Sequence, residues 1–264
     1  VSFDGWFDMT EAPDVATLRE AFRNADKATR QRLAPTLPPA DIEFLGIRMH
    51  VDPRDNYTER CLWLDGLPPE VESLTAVMEL VEGRDAFILD IGANCGAYAV
   101  PLGVAVGRGS RVVAVEPNPV MVGRLDYNVR MNNLNDVVRV DACALGEASG
   151  EAPLYQSNWN FGQASLRKPD RQGHKPAQLV PVRSVLDYAE EASRHAMSVI
   201  KIDVEGTEDT VLNPLFAAGH WLPDVLLIET IHARLWEKDL KAKITASGYD
   251  AMLETEGNTL FIKG

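Results

Sequence analysis

Apolar residues recur along this chain in two rhythms. Five short runs, 86–90 (AFILD), 111–116 (RVVAVE), 136–141 (DVVRVD), 198–203 (SVIKID) and 224–229 (DVLLIE), are apolar with little alternation. They read as strands buried on both faces. Around them the 3.6-residue period predicts helices over 96–107, 119–132, 184–193, 208–218 and 233–247. Such alternation implies a parallel, doubly wound α/β sheet with helices on both faces. Two further strand candidates, 151–156 and 178–182, interrupt the connection between the third and fourth core strands. The end differs: Gly248 to Glu254 and Asn258 to Lys263, joined by Thr255-Glu256-Gly257, form an antiparallel hairpin pattern.

Upstream, residues 13–33 have an amphipathic helical pattern, with Val15, Leu18, Phe22 and Ala25 on one stripe. The segment Pro35-Thr-Leu-Pro-Pro39 stops it, because proline lacks an amide hydrogen and disfavours helix before it. The expected division is a helical N-terminal appendage, 1–40, and a main domain, 41–264. The main domain opens with a strand over 46–51, a polar loop from Asp52 to Glu59, and a helix over 70–82.

Charge narrows the partners. With 26 basic and 39 acidic residues the formal net charge is −13, which argues against nucleic acid or anionic lipid as the main partner. Cys61, Cys95 and Cys143 are odd in number, with no C-x-x-C pair, so neither a disulfide framework nor a zinc ligand set is expected. No histidine pair shares ligand spacing with a carboxylate, and no metal site is expected. The longest apolar stretch, Phe87 to Val106, is interrupted by Asp90 and Asn94, and no run reaches the roughly 18 residues of a membrane span. Phe3 to Asp14 is acidic and unlike a signal peptide, so the expected compartment is the cytoplasm.

Three motifs carry the candidate chemistry. Asp90-Ile-Gly-Ala-Asn-Cys-Gly96 follows the first core strand and opens a helix, where glycines 92 and 96 allow a sharp turn and close approach to a ligand. Its bland reading is a tight strand-to-helix turn. Asn94 and Ala97 stand where a dinucleotide fingerprint would place a further glycine. In Val115-Glu-Pro-Asn-Pro119, Glu116 ends the second strand, where a carboxylate can accept both ribose hydroxyls; otherwise it caps the next helix. The third motif places Lys201, Asp203, Glu205 and Glu208 at the end of the fourth strand. Lys201 and Asp203 share a buried face and call for a ligand or a structural pair.

In this order and spacing, Asp90-Ile-Gly-Ala-Asn-Cys-Gly-Ala-Tyr98, Val115-Glu-Pro-Asn-Pro119 and Lys201-Ile-Asp-Val-Glu-Gly-Thr-Glu208 resemble the FkbM family of S-adenosylmethionine-dependent methyltransferases. Val180-Pro-Val-Arg-Ser-Val-Leu-Asp187 and Gly248-Tyr249 extend the likeness, which covers about residues 46–262. The resemblance implies a class I methyltransferase, Rossmann-like, with seven strands of which one is antiparallel, and S-adenosylmethionine as cofactor. It implies that Asp90, Gly92, Ala93, Asn94, Gly96 and Tyr98 line the methionine and ribose end. Glu116 would hold the ribose hydroxyls, Pro117 and Asn118 would lie beside adenine, and Cys143 and Ala144 belong to the loop packed on its ring. Asp203 and Glu205 would face the reactive methyl.

The activity so implied is O-methylation of a small-molecule or glycan acceptor. A nicotinamide-dependent oxidoreductase and a silent cofactor-binding domain are the alternatives. Base candidates for a hydroxyl are Asp203, Glu205 and His232, with Glu229 close to the same strand ends. Segment 156–177 holds Trp159, Phe161, Arg167, Lys168, Arg171 and Lys175, and reads either as a solvated loop or as a lid suited to an anionic acceptor.

Overall fold

The computed structural model describes residues 14–156, 160–168 and 176–264. The N-terminal helical pattern forms two helices, α1 (Val15–Asn24) and α2 (Lys27–Leu33). Asp26 divides them, because its carboxylate accepts the Thr29 N–H at 2.7 Å and starts a new helix after the extended Ala25. Phe22, Ala34 and Leu37 are buried in the same apolar cluster as Leu62, Trp63 and Leu74.

The expected strand over 46–51 has an unforeseen partner. Strands β1 (Ala40–Phe44) and β2 (Ile47–Val51) make a hairpin whose two turn residues, Leu45 and Gly46, have φ of 48° and 75°. The polar loop also ends early. Helix α3 (Tyr57–Asp65) begins after Asn56, whose side chain accepts the Glu59 N–H. Its polar look misleads because Glu59 is fully buried and is bound by Arg124, which also pairs with Asp52 and Asp55. Helix α4 (Val71–Val81) follows.

The core is a seven-stranded sheet. Its strands are β3 (Ala86–Ile91), β4 (Arg111–Val115), β5 (Val138–Asp141), β9 (Met197–Ile202), β10 (Val225–Glu229), β11 (Tyr249–Thr255) and β12 (Asn258–Lys263). In space they run β11-β12-β10-β9-β3-β4-β5. All pairings among β5, β4, β3, β9 and β10 are parallel, and β12 alone runs against its neighbours β10 and β11. This is the class I methyltransferase arrangement. The inner strands are apolar on both sides because helices α5 (Ala99–Ala105) and α6 (Pro119–Met131) cover one face, while α8 (Glu208–Ala218) and α9 (Leu240–Ala246) cover the other.

A small second sheet, β6 (Ala144–Gly146), β7 (Gly150–Tyr155) and β8 (Pro176–Ser184), fills the connection between β5 and β9. Two expected helices are shorter. Residues 185–192 hold a 3₁₀ turn and one α-turn, which together form α7 (Ala189–Ala192) and its lead-in. The pattern over 233–247 breaks before α9, because the Asp209 carboxylate accepts the N–H groups of Glu237 and Lys238. Chain order reverses between β3 and β9, so the ends of these two strands open the crevice where such sheets bind ligands. Among the described residues no helix is long and apolar enough to cross a membrane.

Candidate functional site

The crevice is a cleft lined by the loop after β3, the end of β4 and the residues around Asp203. Its floor is the loop after β3. Gly92 and Ala93 both donate their N–H to the Val115 carbonyl at 3.0 Å, which draws the loop across the end of β4. Gly92 has φ +80°, and a Cβ there would stand 1.9 Å from the Asp203 carbonyl oxygen. Gly96 has φ +95°, and a Cβ there would meet Leu125 and Val100. Both glycines are thus required by close approaches within the protein, and Gly92 also lines the cleft.

Glu116 forms the adjoining wall. It is buried, and its two carboxylate oxygens accept N–H groups from Asn94 (2.9 Å) and Asn118 (2.8 Å). Burial lifts its pKa to about 7, although both N–H bonds pull the other way. Asn94, at φ 53°, is steadied by Asn56, whose Nδ2 donates to Asn94 Oδ1 at 2.7 Å. Pro117, Cys143, Ala144, Leu145 and Leu154 continue the wall as an apolar slot.

The far end is acidic. Lys201, nearly fully buried, lies 3.5 Å from Asp90, 3.9 Å from Asp203 and donates to the Gly92 carbonyl at 3.2 Å. Burial opposes its charge, but Asp90, Asp203, Glu70 and Glu229 outweigh that and hold the ammonium above the ordinary lysine range. Among the described residues Asp90 has no hydrogen-bond partner on either oxygen, and burial raises its pKa. Glu70, from the residue preceding α4, faces the cleft; burial and then Asp203 raise it to about 7. Behind the lining, His232 sets Nε2 3.6 Å from Glu205 and Nδ1 3.8 Å from Glu229. Burial and neighbouring acids push Glu205 to about 8 and Glu229 to about 9. Glu208 instead shapes the backbone. Its carboxylate accepts Val204 N–H, Gly206 N–H and Trp236 Nε1–H, which folds the loop carrying Glu205.

Of the residues named from sequence, Gly92, Ala93, Asn94, Tyr98, Glu116, Pro117, Cys143, Ala144 and Asp203 line the cleft. Asp90 lies beneath Lys201, and Gly96 packs against α6. Asn118 caps α6 and donates to the Phe161 carbonyl, while Glu205 and His232 sit behind the lining. Glu70, Thr58 and Leu154 are lining residues that sequence reasoning missed, while Gly162, Ala164, Ser165 and Leu166 belong to the segment read as a solvated loop or a lid; the signal for Glu70 is Pro68-Pro69 setting an acid before a helix. The segment 160–168 is tied over α3, since Phe161 N–H donates to Asp55 and Asn160 accepts the Tyr57 N–H. Arg167 donates Nη1–H to the Leu235 carbonyl at 2.8 Å. Trp159, Arg171 and Lys175 lie outside the described residues. Among the described residues, no group of three or more His, Cys, Asp or Glu is placed to hold a metal.

Three comparisons bear on this cleft. A curated relative, the ribosomal protein L11 methyltransferase of Herpetosiphon aurantiacus, is 33% identical over 110 residues, covering 41% of this chain and 32% of that protein. The chain thus spans about a third of that relative's length. Among solved structures, the methyltransferase FkbM of Methylobacillus flagellatus superposes with a TM-score of 0.45 and 20% identity, over 94% of this chain and 57% of that one. The precorrin-6y C5,15-methyltransferase of Geobacter metallireducens gives 0.42 and 12%, over 74% and 88%. The sequence profile of the methyltransferase FkbM domain matches residues 90–249, from the Asp90 loop to the last helix and Tyr249, so the chain belongs to the FkbM methyltransferase domain family.

Proposed function

We propose that this protein is an S-adenosylmethionine-dependent methyltransferase acting on a hydroxyl of a sugar-containing or natural-product acceptor. The observation that carries the reading is Glu116: a buried carboxylate at a central strand end, aimed by two backbone N–H groups beside an apolar slot. Each oxygen keeps a free lone pair, which suits a vicinal diol such as ribose. The rest of the cleft fits the same cofactor. The slot from Pro117 to Leu145 suits an adenine ring, and Glu70 with Asp203 offers carboxylates where a sulfonium and an amino group would lie.

When bound, S-adenosylmethionine supplies an activated methyl group on a cationic sulfur. The chain's own contribution is position and proton handling. Glu116, Asn94 and Gly92 orient the nucleoside end, and alignment of this kind supplies ~7–11 kcal/mol of a displacement barrier. Lys201, which lines the cleft, donates to the Gly92 carbonyl and lies 3.5 Å from Asp90, which holds the floor in place. For the acceptor proton, Glu70 is the favoured base, because it faces the cleft and titrates near neutrality. Glu205, backed by His232, stands second.

Calorimetry with S-adenosylhomocysteine and with NAD tests the cofactor, and transfer of labelled methyl into fractions of a metabolite extract tests the acceptor. Micromolar NAD binding without any response to the methionine cofactor would overturn the reading. Label appearing only in amines would overturn the hydroxyl assignment.

A further inference from the structure

Away from the cleft, α2 and α3 enclose a second groove. The outward stripe of α3 is Tyr57, Arg60, Cys61 and Leu64, at the i, i+3, i+4, i+7 spacing of one helical face. Opposite it stand Phe22 from α1 and Lys27, Arg30 and Arg32 from α2. In a chain of net charge −13 this concentration of cations is unusual. Among the described residues its one lining acid is Asp65, already paired with Arg23 at 2.9 Å.

The two central guanidiniums are held by main-chain carbonyls instead of carboxylates. Arg30 donates Nε–H to Phe22 O (3.0 Å) and Nη2–H to Arg23 O (2.6 Å), at the end of α1. Arg60 donates Nε–H to Pro53 O (2.9 Å) and Nη2–H to Arg54 O (3.3 Å). An arginine has five N–H donors, so each keeps N–H groups with no partner among the described residues. Fixed guanidiniums with free donors are suited to a planar or tetrahedral oxyanion, because the ordering entropy is already spent. Burial lowers the Arg60 pKa, against the pull of Asp55. Between the cations, Tyr57, Leu64 and Phe22 give the groove an aromatic and apolar floor.

We infer that this groove binds a small organic oxyanion, a sulfonate, phosphate or carboxylate on an aromatic or apolar body, gripped by Arg30 and Arg60. The acidity of the whole chain disfavours a long polyanion, which would extend onto negative surface, whereas a small anion meets only the groove. The inference is independent of the reaction proposed for the cleft.

The test uses 8-anilinonaphthalene-1-sulfonate as probe on the full chain. Its fluorescence should report one binding site, weakened about tenfold or more by Arg60→Ala. Arg30→Ala also removes support from α1, so Lys27→Glu, at an exposed position, gives a second measure of the same charge effect. Cys61 locates the probe: at saturation it should slow alkylation of Cys61 by iodoacetamide several-fold, read by mass spectrometry. Unchanged Cys61 alkylation under saturating probe overturns the inference, as does wild-type affinity in both Arg60→Ala and Lys27→Glu. Binding that emerges only after residues 1–13 are deleted also overturns it, since that segment, with Asp4, Asp8 and Glu11, would then be the occupant.

Discussion

Replacing Glu116 isolates the contact on which the cofactor reading rests. In the intact protein each carboxylate oxygen accepts one backbone N–H, from Asn94 at 2.9 Å and Asn118 at 2.8 Å, and has a lone pair left for a ligand hydroxyl. Glu116→Ala removes two charge-assisted hydrogen bonds to the ligand, nominally ~1.5–3 kcal/mol each. Water entering the vacated space recovers part, which leaves ~2–4 kcal/mol, or about 30- to 1000-fold in Kd. Glu116→Gln should do little better, because its amide must turn NH2 toward one of two N–H donors. The free carboxyl titrates at about 7, and hydroxyl donors favour its ionised form. Wild-type affinity should therefore be flat above pH 7 and fall about tenfold per pH unit below it. At pH 6 the cost of ionising the group is about 1.4 kcal/mol. Both variants should lose that slope, so their deficit narrows as pH falls. The assay is calorimetric titration with S-adenosylhomocysteine between pH 5.5 and 8.5, with circular dichroism to verify folding. A folded Glu116→Ala that binds as tightly as wild type, or that keeps the wild-type slope, would refute the reasoning.

Four further outcomes are expected. Gly92→Ala should cost ~3 kcal/mol of stability and abolish measurable cofactor binding, because its Cβ would meet the Asp203 carbonyl at 1.9 Å; thermal melts and titration check both. The ligand-free protein should melt at higher temperature at pH 5.5 than at pH 9. Glu59, Glu70 and Glu116 (about 7), Glu205 (about 8) and Glu229 (about 9) titrate above their unfolded values, so the folded state binds more protons across that window and stability falls as pH rises. Glu70→Gln should lower kcat by roughly 10²–10⁴ and remove a limb near pH 7 from kcat/KM for S-adenosylmethionine, which reports the free enzyme, whereas a limb near pH 8 lost in Glu205→Gln would transfer the role to Glu205. Finally, S-adenosylmethionine should release more protons on binding than S-adenosylhomocysteine, measured from heats in two buffers; equal release would mean that the sulfonium charge does not reach the acid cluster.

The sheet was legible because its strands are buried on both faces. Runs such as Phe87 to Asp90 and Val225 to Glu229 admit no competing reading, and the terminal hairpin pattern anticipated the antiparallel β12. Periodicity misleads where a buried ion network makes core residues look like loop. Glu59 is inside α3 only because Arg124, 65 positions later, neutralises it. Asp26 and Asp209 likewise break helical patterns through local main-chain bonds that periodicity does not register. Within the site, motif spacing located the cleft but not the duties of its members. Gly92, Asn94 and Glu116 line the cleft, whereas Gly96 packs on Leu125, Asn118 caps α6 and Asp90 lies beside Lys201. Glu70 escaped notice because it reaches the site from the start of α4, ahead of every motif.

The acid cluster also explains why one lysine is enough beneath it. Asp90, Asp203, Glu70, Glu205 and Glu229 surround Lys201, an arrangement that would be untenable if every carboxyl were ionised. The raised values of Glu70, Glu205 and Glu229 resolve this, since near neutrality the cluster carries protons in place of counter-ions. If a bound cofactor set its positive charge about 6 Å from a carboxylate, at an effective dielectric constant near 20, it would stabilise the ionised form by about 3 kcal/mol. That shifts an ionisation ratio by about a hundredfold, enough to turn Glu70 from half protonated to fully ionised at pH 7. On the proposed reading, Glu70 would then serve as base while a cationic cofactor is bound and be largely withdrawn once the neutral product remains. Lys201 sets the threshold: fixed against Asp90 and the Gly92 carbonyl, it neutralises the innermost acids and leaves Glu70, at the cleft wall, as the group that the incoming charge controls.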